Sequence, residues 1–314
     1  MFIVEGTVIQ NAFLNGVKLT EIQINGVNQF YAFSKGLYFG GYTDASTTVQ
    51  NIATILTNTA TLAQTDVTAG TARGDLAGAN VGVNALFYGG WTTARDNHTT
   101  LLSPTASLVQ AETTISTARY SLTGGFFGTN ALFYGGASTI QENLTTQLSP
   151  TATLVGTEAN LGTGRYGCAA ATLGNNMMIF GGYMTGNVNT NITSLISSTL
   201  TLVGSESAMG LARNNFSGVS LSTYGLFYGG FTTVATNSVL LFLQSGALAQ
   251  SETNIGTARQ GSRGANVGTN AMFYGSWTTV TANTSTLINA GGTLVSETVP
   301  ASTARHSMGA GSLY

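Results

Sequence analysis

Few side chains in this 314-residue sequence could act as acids, bases, nucleophiles or metal ligands. It has 10 Lys and Arg, 12 Asp and Glu, two histidines (His98 and His306) and one cysteine, Cys168. Six of the ten basic residues recur in phase, mostly within Thr-Ala-Arg: Arg73, Arg119, Arg165, Arg213, Arg259 and Arg305, spaced 46, 46, 48, 46 and 46 residues apart. Asp66, Glu112, Glu158, Glu206 and Glu252 stand seven residues before an arginine, and Glu297 eight before. A guanidinium fork with five donors suits two tasks. It could lock neighbouring units through ion pairs and loop carbonyls, or line a ring that grips an anion. Sixfold repetition favours the structural ring, because binding sites are usually asymmetric.

The remaining polar residues offer little chemistry. General acid–base catalysis needs positioned carboxylates or histidines with shifted pKa values. His306 follows the last repeat arginine, where Gly74, Tyr120, Tyr166, Asn214 and Gln260 stand in the other copies, so it reads as a variable loop residue. Arg95, Asp96 and His98 read as a solvated loop, with a small site as the alternative. Cys168 lies in the apolar stretch Gly167-Cys168-Ala169-Ala170-Ala171, where burial is the default. No Cys/His spacing suggests zinc, and no glycine pair leads into Gly-Lys-Ser/Thr of a phosphate loop. No catalytic residue, metal or cofactor is expected.

The elements that position the arginines carry a second signature. Tyr38-Phe39-Gly40-Gly41, Phe87-Tyr88-Gly89-Gly90, Phe133-Tyr134-Gly135-Gly136, Ile179-Phe180-Gly181-Gly182, Phe227-Tyr228-Gly229-Gly230 and Phe273-Tyr274-Gly275-Ser276 recur, each of the last five 16 residues after an arginine. Two markers in one phase over six copies define a repeat. Short apolar runs stopped by glycine read as strands buried on both faces. With Leu101-Leu102, and a fourth strand expected at Leu108-Val109, each unit holds about four strands. The fold class is therefore all-β: a six-bladed β-propeller over residues 36–314, preceded by an arm at 1–35. The last copy stops one strand after Arg305 and the first lacks that strand, so the final strand is expected to complete the first blade and remove two sheet edges.

A strand ending in a glycine pair, two further strands and an arginine before the next unit resembles the kelch repeat over residues 37–314. The usual Trp of the fourth strand is replaced by Leu108-Val109, Leu154-Val155, Leu202-Val203 and Leu294-Val295. Kelch propellers serve as oxidases and as protein-binding modules, so the resemblance leaves function open. The oxidase chemistry implied by that resemblance needs two histidines, a tyrosine and a modified tyrosine–cysteine pair, with which Cys168 does not align. Six-bladed sialidases carry an arginine triad and a recurrent Asp-box turn, and the turn is missing here.

Composition narrows the partners. Only 7% of residues are charged, against about 25% in ordinary domains, and the net charge is −2. Without a basic stripe, nucleic acid is not an expected partner. No run reaches the roughly 18 apolar residues of a membrane span, and the opening residues do not read as a secretory signal. Glycine-pair turns and arginine loops should share one face of the propeller. There Tyr42, Trp91, Tyr183, Phe231 and Trp277 follow the glycine pairs, with Ala137 in the sixth copy. These rings could stack on sugars or pack against the next blade. In the arm, Asn15-Gly16 and Asn25-Gly26 between apolar residues signal hairpins. This segment resembles opening segments of bacteriophage tail and virion proteins. The resemblance implies a non-enzymatic virion component, as tail, fibre or capsid appendage, whose arm joins other virion proteins and whose propeller meets a host glycan or protein. A cellular kelch-type scaffold is the alternative, and a glycosidase a lesser one.

Overall fold

A computed structural model describes residues 34–44, 48–221 and 224–313, together with the strand backbones between 2 and 31. Among the described residues all regular structure is β. Six four-stranded antiparallel sheets stand in a ring, and five of them are built in chain order from an inner to an outer strand. Blade 2 is typical: Ala77–Val81, Asn84–Trp91, Arg95–Leu102 and Thr113–Thr114. Blade 1 takes its inner strand from the far end of the chain. Gly309–Leu313 pairs with Lys35–Phe39, aligning Gly309 with Phe39 and Leu313 with Lys35. The circle is closed as the broken first and last repeats imply.

Side chains alternate across a strand, so each signature strand serves two neighbours. Phe87 faces blade 1 and stacks on Phe39, with centroids 5.2 Å apart; Tyr88 faces blade 3 and meets Phe133 at 5.3 Å. Repeated around the ring, this yields six apolar clusters, one in each gap between blades. The core is thus a circle of interfaces, and no blade buries both its faces alone.

Nearest the axis, each linker turns sharply into the inner strand. Asp75, Ser121, Gly167, Asn215, Gly261 and Ser307 occupy equivalent positions, all with φ between 50° and 68°. That left-handed turn aims each N–H backwards. Asp75 donates to the Ser307 carbonyl (2.8 Å), Ser121 to Asp75 (2.7 Å) and Gly167 to Ser121 (2.8 Å). Asn215 donates to Gly167 (2.8 Å), Gly261 to Asn215 (2.7 Å) and Ser307 to Gly261 (2.7 Å). Six peptides form one closed hydrogen-bonded circle.

Two expectations need correction. The Leu108-Val109 type of segment is not the fourth strand in blades 2 to 4. Leu108 makes a single bridge back to Leu102 at a turn, and the outer strand begins later, at Thr113, Ala159 and Ser207. Only in blade 6 does Leu294–Thr298 include the pair. The turn leaves Leu108 and Val109 exposed, so their apolar character misled. Second, Asp96 and His98 lie on the third strand of blade 2, not in a loop. Asp96 is buried because it accepts from the His98 N–H (2.6 Å) and faces Arg73. His306 lies in a linker, as read, and is buried there.

In the arm, Phe13–Leu14 pairs with Val17–Lys18, and Glu21–Ile24 with Val27–Tyr31. Both pairs flank an Asn-Gly step, and the steps themselves lie outside the described residues.

The ring crowds its inner strands, which explains a column of small residues. A Cβ on Gly78 would fall on the Ala310 backbone, and one on Gly218 on that of Ala170. Gly78→Ala should lower stability by about 1–3 kcal/mol in urea unfolding. Gly291→Ala, which meets only ordinary contacts, should change it by less than about 0.5 kcal/mol.

Candidate functional site

The six arginines, all fully buried, sit in the linkers, Arg259 at the end of the strand Thr253–Arg259, and reach forward into the next blade. Arg119 follows blade 2. Its Nη1 donates to the Gly135 (2.8 Å) and Leu144 (2.7 Å) carbonyls and its Nη2 to the Thr146 hydroxyl, all in blade 3. The Thr146 hydroxyl donates onward to Glu158, which lies 3.6 Å from the same guanidinium. Glu158 in turn accepts from the Thr117 hydroxyl (2.9 Å), two residues before Arg119. The arginine of one linker and the acid of the next repeat therefore clamp each other across a blade boundary.

The same circuit recurs. Arg73 reaches Thr100 and Glu112, and Glu112 takes the Thr71 N–H (2.8 Å) and hydroxyl (2.6 Å). Arg165 reaches Ser194 and Glu206, with Thr163 beneath. Arg259 reaches Thr286 and Glu297 (2.5 Å). Arg305 crosses the seam to Gly40 (2.8 Å), Ile52 and Thr54 of blade 1, where the Thr54 hydroxyl donates to Asp66 (2.7 Å). Arg213 departs slightly: Leu211 replaces the threonine, and the guanidinium meets Glu252 directly at 2.8 Å. On their other side, Arg119, Arg165 and Arg259 lie 5.4–5.8 Å from the ring centres of Tyr88, Tyr134 and Tyr228. Tyr88 and Tyr228 donate their hydroxyls to the linker carbonyls of Thr117 and Thr257, both at 2.7 Å.

Burial works against these charges, and the contacts restore them. Desolvation would raise the carboxyls of Glu158, Glu206 and Glu297. Hydroxyl and backbone donors, with the arginine charge, more than offset it and hold all three below the usual carboxylate range. Burial pulls Arg213 down to about 10, still charged at neutral pH, with Glu252 opposing the shift. Linking hydroxyls were missed in the sequence. Thr54, Thr100, Thr146 and Ser194 each stand 12 residues before their acid, a signal submerged in a chain rich in Thr and Ser.

Over this lattice lies the ring that contains the five candidate aromatics. The residue after each linker arginine and the residue after each glycine pair exchange two backbone hydrogen bonds, as Gly74 does with Trp91 (3.0 and 2.8 Å) and Tyr166 with Tyr183 (3.1 and 2.8 Å). Trp91 packs edge-on to Tyr120 of the next blade at 5.2 Å. Trp277 meets His306 across the seam at 5.3 Å, and His306 meets Tyr42 at 5.4 Å. Tyr183 packs against Tyr166 at 5.2 Å. Trp91, Tyr183, Phe231 and Trp277 remain half-buried. Tyr42 does not: it is 2% exposed, lies over Gly74 and donates to Asp75 at 3.2 Å. It is closed to a ligand because the blade 2 linker has only glycine beneath it. Tyr120 and Tyr166, which share the face, were not singled out from sequence. The chemistry that the face offers is aromatic stacking and hydroxyl hydrogen bonding. Between its second and third strands each blade raises a short tip, where Ile140, Val234 and Val280 are 64–65% exposed.

Among the described residues no three His, Cys, Asp or Glu side chains gather as a metal-binding group, and no helix is long and apolar enough to cross a membrane.

Glu158→Gln should destabilise the protein by about 3–5 kcal/mol, because it strips the counter-charge from a buried guanidinium. Adding Arg119→Met should recover much of that loss in urea unfolding. The depressed acids stabilise the fold at pH values above the unfolded carboxylate range. Stability should therefore hold from pH 7 to about 5 and fall as pH drops through the folded values, a decline visible in unfolding curves collected from pH 7 to 3. Compared with family models and with curated proteins, the chain matches none.

Proposed function

We propose that this protein is a non-enzymatic structural component of a bacteriophage particle, a kelch-like propeller displayed to bind a host surface glycan or protein, with residues 1–35 joining it to other virion proteins. The observation that carries the non-catalytic part is where the charge resides. All six recurrent arginines are buried, and five form ion pairs with the acids of adjoining repeats. They are committed to holding blades together, and a glycosidase of the arginine-triad type would need them free. What the linker face presents is half-exposed Trp91, Tyr183, Phe231 and Trp277 beside Tyr120 and Tyr166. Flat rings stack on the apolar faces of sugars, and neighbouring amides and hydroxyls can read the sugar hydroxyls.

The virion part rests on the resemblance of the arm and on a charge-poor body rich in Gly, Thr, Ser and Asn. The second reading, a kelch-type scaffold for a peptide, draws on the same face and on the exposed tips.

Two measurements separate these readings. Mass spectrometry of density-purified particles should find the protein; its consistent absence would rule out a virion role. On a glycan array, Trp91→Ala and Trp277→Ala should each weaken binding about 5–10-fold, the equivalent of roughly 1–1.5 kcal/mol for one aromatic contact. Each variant should also lose some thermal stability with its Tyr120 or His306 contact, so binding is compared well below both melting points. Unaltered binding in both variants would remove the linker face from the function.

A further inference from the structure

In a sixfold architecture, a position that breaks the pattern in one blade is where an individual role can reside. The clearest break lies on the axis. Four residues after each linker arginine stand Ala77, Thr123, Ala169, Ser217 and Gly309, all small, but in blade 6 the residue is Arg263. It lines a cavity of about 40 Å³ formed by the inner strands of all six blades. By the measure of about 10–15 Å³ for a water, this is room for one small ion and its hydration.

Arg263 is placed unlike the six structural arginines. Among the described residues its guanidinium makes one hydrogen bond, from Nη1 to the neighbouring Ser262 carbonyl at 3.0 Å. No carboxylate among the described residues lies within 4.0 Å of it, and none lines the cavity. Cys168 of blade 4 lines the same cavity, and the Arg263 charge acts on it, on His306 at the seam and on Asp75 of blade 2. Two hydroxyls share the cavity wall. Ser217 accepts the Gly264 N–H at 2.7 Å, which leaves its own hydrogen to donate. The Thr123 backbone pairs with Tyr134, and its hydroxyl has no hydrogen-bond partner among the described residues. A half-buried cation with unused donors, two hydroxyl donors and no adjacent counter-charge is a site for negative charge.

We propose that the axial cavity binds one small inorganic monovalent anion of the halide type, held by Arg263 with the Thr123 and Ser217 hydroxyls. Asp75 is the second departure in the pattern, the single carboxylate in its column of Ser121, Gly167, Asn215, Gly261 and Ser307. It competes with the anion through space without displacing it.

The test uses the full chain in sodium gluconate, with bromide replacing gluconate at constant ionic strength. Wild-type Tm should rise by a few degrees and saturate, as expected for a ligand that binds only the folded state. Arg263→Ser, which installs the blade 5 residue, should abolish that saturable rise. Asp75→Asn, which installs the residue found at 215 with the same left-handed backbone, should reach half-saturation at several-fold lower bromide. Crystals soaked in bromide should show anomalous density in the cavity, absent in Arg263→Ser. A bromide response that does not saturate, or one unchanged in Arg263→Ser, would overturn the proposal, as would anomalous density confined to the outer surface. Should Arg263→Ser not fold, the Asp75→Asn shift and the wild-type anomalous map decide the matter.

Discussion

A guanidinium removed from water costs several kcal/mol unless its charge is answered by acceptors and a carboxylate. Here the Nη groups carry most of that pairing, while among the described residues Nε goes unmet in Arg73, Arg119, Arg165, Arg213 and Arg305. This fold places such a group at every boundary between blades. Each blade can satisfy its predecessor's arginine only when its third strand supplies a carbonyl and a hydroxyl and its outer segment supplies a carboxylate. The apolar clusters beside these circuits are similarly shared, with Tyr88 and Phe133 belonging to different blades. Burial of charge and burial of apolar surface thus demand the same partner in the same position. A single blade would have neither, so the ring forms as a unit.

The arginines and glycine pairs were readable because one residue type recurs at long, regular spacing. Glycine is required there: a Cβ on Gly89 or Gly90 would press on the Arg119 or Gly74 carbonyl, and both have positive φ. Where Ser276 replaces the second glycine, its N–H still reaches the Arg305 carbonyl at 3.1 Å, without the left-handed backbone. The axial circle was illegible because its column reads Asp, Ser, Gly, Asn, Gly, Ser. These residues share only a tolerance for the left-handed conformation. The outer strands were misplaced because Leu-Val is a stronger β signal than Thr-Thr, whereas pairing is decided by where the turn ends. Burial of His306 depends on Tyr42 and Trp277, far away in sequence, so local reading could not find it.

Architecture and individuality are separable in this molecule. The recurring acids, hydroxyls and arginines are nearly interchangeable from blade to blade. The departures are few: the tryptophans of blades 2 and 6, the histidine at the seam, Ala137 in blade 3, and Arg263 and Asp75 towards the axis. They lie along the linker face and the central passage.

Closure through the final strand has a bearing on synthesis. The seam arginine bonds to a residue 265 positions earlier, so blade 1 must wait with an unpaired edge while the other five blades are made. At about 5–20 residues per second, domain segments fold as they leave the ribosome, and for most of that time Lys35–Phe39 has no inner partner. A nascent chain in this state could accept the terminal strand of another copy, and crowding on a polysome would then set how often rings close on themselves.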